Sequence, residues 1–315
     1  METNSGIRIG HLKIIDHLIL GISDLRIKNG QTRLSDTGVT ACAMHSWSQV
    51  SDSLVSGEIN AAFMPAPTAM RLYAQGVKIK LLMFVHRSGS RILKNTKAEI
   101  QSIADFKGRA FLITSQYTIQ TMLLYRLLTS AGLSFGPHGD TTADVSQETV
   151  PPHLMHEMVR LDTDTDIGGF AVADPFGARS MDSGRSTLVC TTDSLWKNHP
   201  CCVFVVKENL LENHTPIVSD LISLFIDTAT RIDRGMDQET ADLAETCLEE
   251  PAAAISRMIA ETRISFNPEH LVPDMDALNM IQTYMTDTMC LFDEQIDIAP
   301  LIDNRLISTL TSPGI

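Results

Sequence analysis

From Ile7 to about Val206, short apolar or β-branched runs alternate with stretches of helical period, and this alternation constrains the fold more than any other feature. Strands are expected at Ile7–Leu12, Val39–Met44, Glu58–Met64, Lys80–Val85, Ser90–Lys94, Ala110–Thr114, Asp166–Val172, Thr187–Cys190 and Cys202–Val206. Asp16 is placed to cap a helix that runs to about Lys28. Ser46 is placed to cap one in which Val50 and Leu54 share a face and Gly57 occupies the C′ position. A longer helix is expected from about Gln116 to Ser130, with Ile119, Met122, Leu123 and Leu127 on one face. Thr149–Pro152 ends a strand and His153–Arg160 starts a helix. Residues 134–146, rich in Gly, Asp and Thr, are expected to form a loop, and the chain beyond Thr215 to be mostly helical. Such βαβ patterning predicts an α/β protein with parallel-rich sheets.

At 315 residues the chain exceeds one typical hydrophobic core. The strand–helix alternation restarts at Asp105–Gly108, and a second junction lies near Asp193–Pro200. Two crossings followed by a return to helices predict a two-lobed molecule with a discontinuous first lobe. The expected division is residues 1–104 with 195–315 as the first lobe and 105–194 as the inserted second lobe. Folds of this kind bind ligands in the crevice at the carboxyl ends of their strands.

A formal net charge of −13 disfavours nucleic acid as a partner, because the chain would repel a phosphate backbone. A small anion remains compatible, since a pocket can be built from backbone donors. No run of about 18 apolar residues is present to span a bilayer. Met1–Gly10 is polar before the first strand and shows no leader pattern. Either a leader has been removed, or Met1 is the native start and the protein stays in the cytoplasm. The six cysteines do not form a disulfide framework, and reduced thiols are expected. His153, His156 and His199 invite a metal reading, but no CxxC or HExxH is present, and adjacent residues on one strand, such as Cys201 and Cys202, point to opposite faces. Neither metal nor cofactor is expected. The absence of a P-loop, a dinucleotide glycine fingerprint and a nucleophile elbow argues against the enzymes that use them.

Several segments resemble, in order, the substrate-binding components of nitrate/bicarbonate/sulfonate/hydroxymethylpyrimidine-type ABC transporters. Arg8-Ile9-Gly10 with Asp16-His17 resembles the family's first strand and ligand loop. Ser46-Trp47, then Leu54-Val55-Ser56-Gly57-Glu58-Ile59-Asn60-Ala61-Ala62, is similar to its "SW…L…GEIDAA" segment. Met64-Pro65-Ala66-Pro67 resembles "MLAP", Asp105-Phe106-Lys107-Gly108 "DLKG", and Val150-Pro151-Pro152 "VPPP". Ala173-Asp174-Pro175-Phe176-Gly177-Ala178 resembles "GEPWGA", with Phe176 in place of the indole. Trp196 with His199-Pro200-Cys201-Cys202-Val203 is similar to "W..HPCCV", and Ile281–Met285 with Ile296-Asp297 to "IQDYM…PID".

The resemblance implies a periplasmic-binding-protein (type 2) clamshell that traps a small, anionic ligand such as nitrate, bicarbonate or a sulfonate by domain closure, with an ABC permease as partner. It also implies a periplasmic or cell-envelope location. Alternatives on the same fold are a cytoplasmic ligand sensor acting on a regulatory partner, and a pyrimidine-precursor or menaquinone-pathway enzyme. The ligand-contacting positions it implies are Ser115, Gln116 and Tyr117 at the start of a helix; Trp47, Ser48 and Gln49; Pro65, Ala66 and Thr68; and Asp174 and Phe176 from the second lobe. Asp16 and His17 would close the first-lobe side. A helix start offers free N–H groups and the positive end of its dipole to an anion. Trp196 is read as packing.

Overall fold

The computed structural model describes residues 6–32, 34 and 38–311; the first five residues of the polar start read above lie outside that set. Two sheets organise them. The first contains β1 (Ile7–Leu12), β2 (Val39–Met44), β3 (Ala61–Pro65), β4 (Ile79–Phe84) and β11 (Cys202–Lys207), in the order β2-β1-β3-β11-β4. The second contains β5 (Ser90–Asn95), β6 (Ala110–Ile113), β7 (Phe135–Pro137), β8 (Val145–Thr149), β9 (Ile167–Ala173) and β10 (Ser186–Thr191), in the order β10-β5-β9-β6-β8-β7. β1 pairs parallel with β2 and β3, and β6 parallel with β8 and β9. β11 runs antiparallel between β3 and β4, and β5 antiparallel between β9 and β10.

Helices follow the strands. In chain order they include α1 (Leu18–Lys28), α2 (Trp47–Ser56), α3 (Ala66–Ala74), α4 (Ile119–Ser130), α5 (Pro152–Leu161), α6 (Phe176–Asp182), α7 (Thr192–Leu195), α8 (Glu208–Asp233), α9 (Gln238–Leu248), α10 (Ala252–Thr262), α11 (Met275–Thr283) and α12 (Arg305–Thr311). No helix among the described residues is long and apolar enough to cross a membrane. β3 is buried at every position, as a strand covered by helices on both faces requires. A Phe63–Phe204–Phe225 cluster, with ring centroids 5.2–5.5 Å apart, locks β3, β11 and α8 together.

The chain passes from the first sheet to the second between Phe84 and Ser90, and returns between Thr191 and Cys202. The crossing therefore precedes β5, a strand that the expected boundary at 105 places in the first lobe. These two crossover segments lie side by side as a short ribbon: the Ser88 N–H donates to His199 O at 2.9 Å and the Val85 N–H to Cys202 O at 3.0 Å. Residues 134–146, expected to be a loop, carry β7 and the start of β8, because the edge pairing Phe135↔Val145 organises this polar stretch.

Two helix starts differ from expectation. Ser46 does accept the Gln49 N–H at 3.2 Å, and Gly57 takes the left-handed conformation at φ 84°. Asp16, however, caps nothing: it lies in a 3-10 turn, Ile15–His17, ahead of α1. α4 begins at Ile119 with Thr118 as its cap, so Ser115–Tyr117 form a turn before the helix instead of its first residues.

Candidate functional site

The carboxyl ends of β2, β3, β6 and β8 lead into a cavity of about 400 Å³ between the two sheets. The first-sheet side supplies Ser46, Trp47, Ser48, Ser51, Asp52, Thr68 and Arg71; the second supplies Thr114, Ser115, Tyr117, Thr149 and Pro151. The starts of three helices converge here. Ser46 and Trp47 are the cap and first residue of α2, Thr68 lies in the first turn of α3, and Pro151 caps α5. Each start brings the partial positive end of a helix dipole to the cavity, although prolines at the α3 and α5 starts leave fewer free N–H groups there than at α2.

Hydroxyl groups dominate the polar lining. Thr114 Oγ1 is buried and has no hydrogen-bond partner among the described residues, so it is a donor or acceptor left over for a guest. The Arg71 guanidinium lies 4.5 Å from the centroid of the Tyr117 ring, a cation–π contact that holds it against the second-lobe wall. Tyr117 is fixed in turn: its N–H donates to Ser115 Oγ at 3.1 Å, and its carbonyl accepts the Thr68 hydroxyl at 2.8 Å, a direct link from α3 to the second sheet.

Of the positions anticipated from sequence, Trp47, Ser48, Thr68, Ser115 and Tyr117 line this one cavity. Pro65 and Ala66 stand just beneath it; Pro65 is the cap residue of α3, and the Ala66 N–H donates to Cys201 O at 2.9 Å. Gln49 faces away, its side-chain oxygen accepting the His45 N–H at 3.0 Å, and Gln116 is not among the lining residues. Phe176 lines an adjacent cavity of about 340 Å³ with Lys13, His45, Pro152 and His153, where the His45 and His153 rings meet at 5.3 Å.

Asp174 is committed elsewhere. Its carboxylate accepts three hydrogen bonds at 2.8–3.0 Å from Arg91, a residue 1% exposed on β5, and it also accepts the Ala178 N–H at 2.8 Å. Burial pushes the Asp174 carboxyl up, and Arg91 and the amide oppose that push. Asp174 is therefore a strut between β5 and α6. Asp16 and His17 also lie away from the cleft cavity. His17 is buried against Trp47 and Phe63, at ring distances of 5.6 and 5.5 Å, and burial holds it well below the ordinary histidine value. Burial thus disfavours the protonated form, and the ring's Nδ1 sits 3.2 Å from the Leu12 N–H instead of facing the cleft cavity.

Sequence reading missed Arg71, Asp52, Thr114 and Thr149. Arg71 lies one helical turn beyond Thr68, on the same face of α3, and that spacing was the available signal. The others become visible only once the two sheets are apposed. A further grouping was not anticipated. Asp16, His86, Cys201 and Cys202, all buried, bring one donor atom each within 4.8 Å of one another. The two thiols were expected on opposite faces of a strand. Cys201 instead precedes β11, which begins at Cys202, so strand alternation does not govern the pair.

The solved structures agree with this architecture. A bicarbonate transport ATP-binding protein, CmpC, from Synechocystis is 26% identical over 178 residues, which is 52% of this chain but only 26% of that protein, so the chain spans about a quarter of that relative. The ligand-binding component of an ABC-type import system from Staphylococcus aureus, solved with zinc bound, superposes with a TM-score of 0.83 at 19% identity, covering 98% of this chain and 100% of that one. The periplasmic nitrate-binding protein NrtA from Synechocystis superposes with a TM-score of 0.80 at 16% identity, covering 98% and 90%. Residues 3–248 match the NMT1-like family, and with the two-sheet architecture and inter-sheet cleft this shows that the chain belongs to that family and has the periplasmic-binding-protein fold.

Proposed function

We propose that this chain is a solute-binding protein of an ABC-type uptake system that traps a small anion in the cavity between its lobes. The convergence of the α2, α3 and α5 starts on one hydroxyl-lined cavity beside Arg71 carries the reading. Net charge would not suggest it. Locally, however, three positive dipole ends and a guanidinium outweigh the carboxylate of Asp52. Nitrate, bicarbonate and alkanesulfonates share what such a site rewards: several acceptor oxygens, modest size and negative charge. No bond is made or broken in this reading. The lobes, taken as the two sheets with their helices and hinged at residues 85–89 and 192–201, close over the ligand, and a permease recognises the closed form. The Thr68–Tyr117 hydrogen bond is the kind of contact that closure makes.

A thermal-shift screen against nitrate, nitrite, bicarbonate and short sulfonates tests this. At a hundredfold excess over the dissociation constant, binding adds about 2.7 kcal/mol, a rise of several degrees. Stabilisation by an anion that is abolished in Arg71→Ala supports the reading. Stabilisation that survives that substitution unchanged, or chemical turnover of the bound solute, contradicts it.

A further inference from the structure

We propose that Asp16, His86, Cys201 and Cys202 form a closed site for one thiolate-preferring divalent transition-metal ion of the zinc class, seated beneath the cleft where the two crossover segments meet. This goes beyond the solute-binding reading and does not depend on it.

The donor set is the first support. Two thiols, an imidazole and a carboxylate are a four-coordinate complement for such an ion, and all four residues are buried. Spacing is the second. Ligand arms of about 2.0–2.3 Å in a tetrahedron place neighbouring donors roughly 3.3–3.8 Å apart. His86 Nε2 lies 3.3 Å from Asp16 Oδ2, and every donor lies within 4.8 Å of every other, so side-chain adjustments alone would close the shell.

Unmet polar demand is the third support. Asp16 is 0% exposed, and neither of its carboxyl oxygens takes a hydrogen bond from another described residue. Its one neighbour of opposite potential charge among the described residues, His86, lies 3.3 Å away through Nε2, the ring nitrogen nearest the Cys202 N–H. A buried carboxyl group with no donor or counter-charge among the described residues is costly, and a cation there supplies what the protein does not. The Cys202 N–H lies 3.3 Å from His86 Nε2, so that nitrogen carries no proton, and binding an ion would exchange this long hydrogen bond for a metal ligand on the same lone pair.

Position determines the consequence. His86 lies on the crossover between β4 and β5, and Cys201 on the one between β10 and β11. Asp16 adjoins Ile15, whose N–H donates to Asp174 O at 2.8 Å from the second sheet. An ion held by these side chains would tie both crossovers to the turn after β1. With four protein ligands and no exposed face it has no open position for substrate, so it acts structurally. Binding a divalent ion displaces the two thiol protons, together with the carboxyl proton when Asp16 is protonated.

The test loads the reduced, metal-stripped full chain with Co²⁺ as a spectroscopic probe and then displaces it with Zn²⁺. One Co²⁺ per chain should give sulfur-to-cobalt charge transfer and tetrahedral ligand-field bands, lost on zinc addition, with at least two protons released per ion bound. Cys202→Ser and Asp16→Asn should each weaken loading at least tenfold, while Cys290→Ser, at an exposed thiol, leaves it unchanged. If the variants fail to fold, the wild-type spectrum and proton count still decide. Reduced wild type without the charge-transfer band at saturating cobalt overturns the proposal. So does a band that persists in folded Cys202→Ser, which would place the ion elsewhere.

Discussion

Arg71 brings positive charge into the cavity, and truncating it removes a charge-assisted hydrogen bond of about 1.5–3 kcal/mol. Arg71→Ala is therefore expected to weaken anion binding by roughly tenfold or more, read by isothermal titration, while the unliganded melting temperature moves little. Thr114 makes a sharper pair of expectations. Because its buried hydroxyl has no partner among the described residues, Thr114→Val should leave the unliganded protein as stable or slightly more stable, yet cost affinity. A loss of stability with affinity intact would assign Thr114 to the framework. The thiols separate by environment. Burial pushes Cys247 up to about 12, whereas Cys290 is exposed. At pH 8 Cys290 should alkylate readily and Cys247 hardly at all, since the thiolate is the nucleophile and its fraction at Cys247 stays negligible until the pH nears 12. Mass mapping of a timed alkylation reads both. At this scale the sequence was informative about placement where a side chain belongs to a turn, as Trp47, Thr68 and Ser115 do in lining one cavity. It was silent where the role comes from another lobe: nothing local distinguishes Asp174 as a ligand contact from Asp174 as the partner of Arg91.

Elements were more legible, because period and capping act within a dozen residues. α2 shows this: Ser46, Val50, Leu54 and Gly57 each do what their spacing implies, and Ser46→Ala should cost about 1 kcal/mol in urea unfolding. The failures have a common cause. Asp16 satisfies the rule for a capping residue, but tertiary packing starts α1 later and draws its carboxylate inward. β7 is a three-residue edge strand in a polar stretch, with too little periodicity to register. Close backbone approach is equally invisible in advance. Gly169 on β9 passes so near β5 that a Cβ would sit 2.1 Å from Leu93 O. Gly169→Ala should destabilise beyond the ~1–3 kcal/mol usual for an overpacked core, because the obstacle is backbone that cannot rotate away. A change under 1 kcal/mol would mean that the β5–β9 pairing gives more easily than its hydrogen bonds suggest.

The two sheets meet through a ribbon of two crossovers and a set of contacts across the cleft, of which Thr68–Tyr117 and His45–His153 are direct. The topology was anticipated, since strand–helix alternation with two junctions leaves few alternatives. The position of the crossing was not, because only the antiparallel pairing of β5 with β9 and β10 places that strand in the second sheet. If closure makes the Thr68–Tyr117 bond, ligand should slow hydrogen exchange at both crossovers together, and unliganded protein should exchange there faster than in β3. The cavity reading itself is tested most directly by fluorescence. Trp196→Phe leaves Trp47, which lines the cavity, as the only indole, and its emission can be titrated with anionic, neutral and cationic solutes. A saturable one-to-one response to a small anion, shifted to higher concentration in the Arg71→Ala background, is the predicted result. Saturation by a neutral or cationic solute instead, or an anion response indifferent to Arg71, would contradict it.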